Sequence, residues 1–243
     1  MLSMTLRLES VDEMRVVLSD ALAAGATLAS PVGPAADPAG GTAFSIYDPY
    51  GRLIHVVADD MRAKGRITVP ERPVGLTHVN LNASDMDGSR RFFEQAFGMV
   101  MSDRNAHHIF MNCNRDHHTI VFANNGVDTL NHVAFLMPDL EGVMLRTGLL
   151  RDHGYPIGWG VGRHGPGANV FAYFQSPLEF VVEVTSEIEQ VDATYRVGSP
   201  EDWVWPAGRS DRWGVADAPS AALRESQKRV PYALPLDARR ASR

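Results

Sequence analysis

Three side chains sit where an ordinary strand would carry something else. His78 lies within Leu76-Thr77-His78-Val79-Asn80-Leu81, His132 within Leu130-Asn131-His132-Val133-Ala134-Phe135, and Glu183 between Val181-Val182 and Val184. A carboxylate among valines is costly to bury unpaired, on the order of several kcal/mol. Two neutral imidazoles and one carboxylate converging in a curled sheet make a facial triad. That donor set suits a divalent first-row metal, most often non-haem Fe(II), and leaves coordination positions open for ligands. A lone histidine on a strand is ordinarily a surface or hydrogen-bonded residue, so no single one of the three carries this reading. Their equivalent places in successive repeats do. Asn80, two residues after His78 on the same strand face, reads equally well as an orienting partner or as a surface residue.

The elements that must position these residues recur in three rounds. Met4 to Glu9 reads as a strand, and Val11 to Ala24 as a helix with Met14, Val17, Leu18 and Ala21 at helical spacing. Ala29 to Thr42 reads as a loop, followed by two strands joined by the turn Asp48-Pro49-Tyr50-Gly51. A second round opens with Gly75 to Ala83, a helix over Asp85 to Phe97 capped by Gly98, and the strand candidates HIFMNCN and HHTIVFAN. A third runs through LNHVAFLM, a helix from Asp139 to His153, a Gly-rich loop from Gly154 to Gly167, then NVFAYFQ and FVVEVTS. In the alignment of rounds one and three, Thr5 falls on His132 and His55 on Glu183, so round one does not make the same donor set. The expected fold is α+β, with repeated βαβββ units paired into curled, barrel-like sheets. The expected domains are 1–60, a truncated N-terminal unit without metal; 61–74, a linker; 75–187, a catalytic domain of two units; and 188–243, a C-terminal extension.

Composition narrows the function classes. The 243 residues carry 23 Lys+Arg against 29 Asp+Glu, a net charge of −6, which argues against a nucleic-acid partner. Cys113 is the only cysteine, so no intrachain disulfide is possible and nothing points to an oxidising compartment. The start lacks the pattern of a signal peptide, and no apolar run approaches the ~18 residues of a membrane helix. A cytoplasmic protein without a membrane partner is expected. Gly160, Gly162, Gly165 and Gly167 do not join a strand to a helix as a nucleotide-binding loop would, and read as a pocket-lining loop. His107-His108 and His117-His118 do not read as a separate metal tract, because strand alternation would turn neighbours to opposite faces. Trp203, Trp205 and Trp213 read as packing residues of the extension rather than as a lid.

GLTHVNLNASDMDGSRRFFEQAFGM, HHTIVF, LNHVAF, GRHGPGANVFAYF and FVVEV together resemble the type I extradiol ring-cleaving dioxygenases of the vicinal oxygen chelate superfamily. The resemblance implies Fe(II), with Mn(II) as the occasional substitute, held by His78, His132 and Glu183. It implies that His118 is the acid–base histidine, in preference to adjacent His117, because His118 stands nearer the apolar strand. His164 matches the histidine that hydrogen-bonds the substrate, and Tyr173 the tyrosine near the metal. The implied reaction is extradiol cleavage of a catecholic substrate by O₂. A glyoxalase-like lyase or isomerase, and a non-catalytic binding protein of the same fold, are the alternatives. Members of the family usually carry a Pro-x-Gly turn before the ligand glutamate, where this chain has Ser176-Pro177-Leu178-Glu179. Three units in place of the usual four leave a sheet edge and apolar face uncovered, and a homo-oligomer is expected to cover them.

Overall fold

The computed structural model describes residues 3–62 and 69–231; residues 1–2 of the expected first unit, 63–68 within the expected linker and 232–243 of the expected extension lie outside the described residues. The mixed α+β reading holds. Strands dominate, and the chain divides into two compact units, each with its own sheet.

The first unit is built on β1 (Ser3–Arg7), α1 (Met14–Ala23), β2 (Thr27–Pro34), β3 (Thr42–Tyr47) and β4 (Leu53–Ala58), with sheet order β1-β4-β3-β2. β1 runs parallel to β4, and the other pairs are antiparallel. Met14 and Ala21 of α1 are fully buried, as the helical stripe requires. Residues 87–99 cluster with this unit. They contain most of α2 (Met86–Phe97), whose Phe92, Phe93 and Ala96 are buried. The Arg52 guanidinium, itself buried, reaches both Asp48 Oδ2 at 2.9 Å and Ser89 Oγ of α2 at 3.0 Å.

One expectation fails here. Ala29 to Thr42 is not wholly loop, because β2 occupies its first part. Pro31 and Pro34 argue against a central strand, but β2 lies at the sheet edge, where a missing N–H costs no ladder bond. Its pairing with β3 is interrupted by two register shifts.

The second unit carries β5 (Gly75–Asn82), β6 (Val100–Arg104), β7 (His108–Asn112), β8 (Ile120–Ala123), β9 (Thr129–Leu136), α3 (Leu140–Asp152), β10 (Trp159–Arg163), β11 (Val170–Gln175) and β12 (Val181–Ser186). The main path of its sheet is β10-β11-β12-β9-β5-β8-β7-β6. β5 pairs antiparallel with β9, and each has a parallel partner, β8 and β12 respectively. The stretch read as a Gly-rich loop contains β10, whose Gly160 and Gly162 lie so close to Phe171 that a Cβ would meet it at 2.7 Å. Glycine here permits strand contact rather than marking a turn.

β11 shows why its sequence lacks polar alternation. Val170, Ala172 and Phe174 join Met137, Val143 and Val184 in a core beneath α3. Phe171 and Tyr173 point to the opposite side, packing with Val181 and Leu223. Both faces are covered, and the odd-numbered face is the one that matters for chemistry.

Candidate metal centre

Strand register brings the three donors together. Ala134 of β9 is paired on one side with His78 of β5 and on the other with Glu183 of β12. Cross-strand partners share a sheet face, and His132, two residues before Ala134, shares it too. His78 Nε2 lies 3.2 Å from His132 Nε2, and each of these nitrogens lies 3.1 Å from Glu183 Oε2. All three residues are buried. Two acceptor-type nitrogens facing one carboxylate oxygen in this way fit a shared cation. Bonds of about 2.1 Å at right angles would separate donors by about 3 Å.

Neighbouring amides hold two of the three in place. His132 Nδ1 donates to Asn131 Oδ1 at 2.8 Å, which leaves Nε2 as the lone-pair nitrogen. Asn131 is held in turn by Asn82 Oδ1 at 2.8 Å. Asn169 Nδ2 donates to Glu183 Oε1 at 3.1 Å and to Thr185 Oγ1 at 2.8 Å. His78 Nδ1 is buried without a partner among the described residues. Burial opposes charge on Glu183, but His78 and hydrogen bonds from the surrounding histidines outweigh it and hold the carboxyl well below the usual range. Burial also lowers the imidazole pKa of His132, keeping it in the neutral form that ligates.

The other three expected residues gather around the same point. The His118 ring centroid is 4.5 Å from that of His78, and burial pushes the His118 pKa well below its ordinary value. Tyr173 is the cross-strand partner of Glu183, and its hydroxyl lies 2.9 Å from His164 Nε2. Burial and the Glu183 charge push the Tyr173 phenol well above its normal pKa, so it stays a donor. His164 Nε2 is 3.7 Å from Glu183 Oε1, and its ring stacks on Phe171 at 3.9 Å. His78, His118, His132, His164 and Tyr173 all border one cavity of about 680 Å³. Asn80 is buried and borders it as well, which removes the surface reading.

Sequence reasoning missed part of the surroundings. Asn131 and Asn169 adjoin recognised motifs, and their nearness in sequence to His132 and His164 was the available signal. His117 and His118 precede β8, so strand alternation does not separate them; their Nδ1 atoms lie 2.9 Å apart. Trp205, read as packing, borders the cavity and contacts the loop at Gly165.

Residues 75–184 match the model of the Glyoxalase/Bleomycin resistance protein/Dioxygenase superfamily. A Mn(II)-bound glyoxalase from Novosphingobium aromaticivorans is similar over 96% of this chain and 75% of its own, at 31% identity and a TM-score of 0.84. The chain belongs to this superfamily. The solved homoprotocatechuate 2,3-dioxygenase from Arthrobacter globiformis shares the fold at a TM-score of 0.78 and 18% identity, over 97% of this chain and 75% of that one. Metapyrocatechase 2 of Cupriavidus necator is 27% identical over 151 residues, which is 61% of this chain. This chain spans only 44% of that relative's length. Among the described residues, no helix is long and apolar enough to cross a membrane.

Proposed function

We propose that this superfamily member is an extradiol dioxygenase that opens a catecholic ring beside its two hydroxyls, inserting both atoms of O₂. The observation that carries the reading is His118 against the ring of His78 together with the Tyr173–His164 pair beside Glu183. His78, His132 and Glu183 would hold a divalent metal, Fe(II) or Mn(II). Such an ion, when bound, supplies a redox-active centre at which a diol and O₂ are gathered. Three protein donors leave positions for both partners.

The chain's own residues then have separate tasks. His118, kept neutral by burial, takes a phenolic proton and returns it as the ring opens. Tyr173, kept protonated, donates a hydrogen bond to a catechol oxygen, and His164 fixes the tyrosine hydroxyl at 2.9 Å. The apolar side of the cavity, with Phe110, Val121 and Trp159, takes the ring itself. A homo-oligomer belongs to the same proposal: Leu28 and Val32 of the edge strand β2 are exposed.

The similarity to a solved glyoxalase at 31% identity favours one second reading, a metal-dependent isomerase or lyase. Against it stands His118, since such an isomerase commonly uses a ligand glutamate as its base and needs no separate acid–base histidine. Oxygen consumption separates the two. After anaerobic loading with Fe(II) or Mn(II), admission of air to a panel of substituted catechols should give about one O₂ consumed per catechol and a yellow ring-opened product. Turnover of a thiohemiacetal without oxygen uptake would establish the isomerase instead.

A further inference from the structure

Behind His118 lies a buried chain of polar groups that the reaction as described above does not use. Asp103, His117 and His118 are all buried, the first two fully. Asp103 comes from β6, where a register shift between Met101 and Asp103 turns it inward. Its Oδ1 accepts from the Gly198 backbone N–H, and its Oδ2 accepts from the Tyr195 hydroxyl at 3.0 Å. Oδ2 also lies 2.8 Å from His117 Nε2. His117 Nδ1 in turn lies 2.9 Å from His118 Nδ1. Gly167, in a left-handed conformation with φ +76°, closes over both rings: a Cβ there would meet His118 Nδ1 at 2.9 Å and His117 Nδ1 at 3.1 Å.

With Asp103 as a carboxylate and His117 as a neutral imidazole, these contacts set the proton positions. An ionised Asp103 only accepts, so His117 Nε2 must carry the hydrogen. A neutral His117 then offers a lone pair at Nδ1, and the facing hydrogen must sit on His118 Nδ1. With that nitrogen turned away, the one left for the cavity is Nε2, unprotonated. We infer that Asp103 and His117 are positioning residues that fix the ring and tautomer of His118, so that its Nε2 meets the substrate as a proton acceptor. The tautomer assignment stands on this geometry with Asp103 as a carboxylate and His117 as a neutral imidazole; its catalytic consequence rests on the dioxygenase reading.

Asp103→Asn gives a directional test. The Gly198 N–H keeps the amide oxygen at its own side, which puts the amide NH₂ where Oδ2 was, facing His117 Nε2. His117 must then accept at Nε2 and donate from Nδ1. His118 in turn must accept at Nδ1 and carry its proton on Nε2. Both rings exchange tautomers with almost no change of shape.

The measurement is long-range ¹H–¹⁵N correlation on the full chain with ¹⁵N-histidine, loaded with diamagnetic Zn(II), the His118 signals being assigned with His118→Gln. The wild type should show Nδ1–H for His118 and Nε2–H for His117, and Asp103→Asn should reverse both. In the Fe(II) or Mn(II) enzyme the same variant should lose kcat by about 10²-fold with KM nearly unchanged, since Asp103 does not border the cavity. An Nε2–H tautomer for His118 in the wild type, or unaltered tautomers with kcat within about threefold in the variant, would overturn the proposal. If Asp103→Asn does not fold, His117→Phe preserves a ring and removes its nitrogens. It should leave His118 without a single fixed tautomer and lower kcat in the same way; retention of the Nδ1–H tautomer would overturn the proposal. A wild-type chain that cleaves no catechol defeats the dioxygenase reading while the NMR result still decides the tautomer.

Discussion

The first βαβββ unit and the third share one strand plan and differ in chemistry. In each, the first strand runs parallel to the last, and the last two strands are antiparallel: β1·β4 and β3·β4 in one, β9·β12 and β11·β12 in the other. The sequence alignment sets His55 on Glu183. His55 is only partly buried and bonds Ser45 Oγ at 2.6 Å, whereas Glu183 is fully buried among three histidines and Asn169. The difference lies in the first strand. β1 is an edge strand with β4 as its partner, while β9 has β12 on one side and β5 on the other. A triad needs a strand with a donor-bearing neighbour at each flank, and the second round supplies His78 from β5.

Register sharpens the contrast. His132 is paired with Val181 and Ala134 with Glu183, but Thr5 is paired with His55 and Ser3 with Leu53. With His55 set on Glu183, the residue matching His132 is therefore Ser3, and the one matching Ala134 is Thr5. The alignment by sequence was two residues off, a slip that leaves the face unchanged because strand side chains repeat every two residues. Ser3, Thr5 and Arg7 are exposed, whereas His132 and Ala134 on the corresponding face of β9 are buried. Desolvation, which makes a donor cluster strong, is present in one sheet and missing in the other.

The largest effect should come from breaking the triad. His132→Ala and Glu183→Ala should each lower bound metal from about one ion per chain to near zero and reduce ring cleavage to background. Metal analysis after gel filtration, alongside oxygen uptake, checks both. Full metal content in either variant would remove the centre proposed here.

A smaller loss should follow from crowding the gap that the register creates. Ala134 is fully buried between its strand partners His78 and Glu183, so a larger side chain there should crowd the donors. Ala134→Leu should destabilise the fold by about 1–3 kcal/mol through overpacking. It should also weaken metal binding by about tenfold or more, the scale of effects seen when ligands lose their orientation. Calorimetry and a competitive chelator titration measure the two separately. Unchanged metal affinity in a folded variant would mean that the donors meet elsewhere.

Much of the site was legible because its residues are chemically out of place. Histidine and glutamate inside valine-rich strands stand out, whereas His118, His164 and Tyr173 were reached through the family resemblance. Five of the six border one cavity, and Glu183 is buried beside it against His78 and His132. What stayed hidden had ordinary local signals. Asp103 lies in Val100-Met101-Ser102-Asp103-Arg104, which has no apolar alternation because a bulge buries Ser102 and Asp103 together. β2 was obscured by prolines that only an edge strand tolerates, and β10 by glycines that serve close packing. Asn131 and Asn169 are common polar types whose value depends on a hydrogen bond across strands. Helix α2 was legible as a helix, but its clustering with the first unit depends on tertiary contacts such as Arg52 with Ser89.

The smallest effect expected is the one that isolates the first unit. If the plan alone created a metal site, removing His55 would cost metal; if burial and a second flanking strand are required, it would not. His55→Ala removes one partly buried hydrogen bond to Ser45 and should lower stability by about 0.5–1.5 kcal/mol. Metal content, chelator competition and ring cleavage should all match the wild type within error. The paired variant Ser3→His, Thr5→Ala places the triad's matching residues on β1 beside His55. It should still bind no second ion, because the face stays open to water and β1 remains at the sheet edge. A second equivalent of metal retained by that variant would show that strand plan and donor identity suffice, and that the flanking strand contributes position alone.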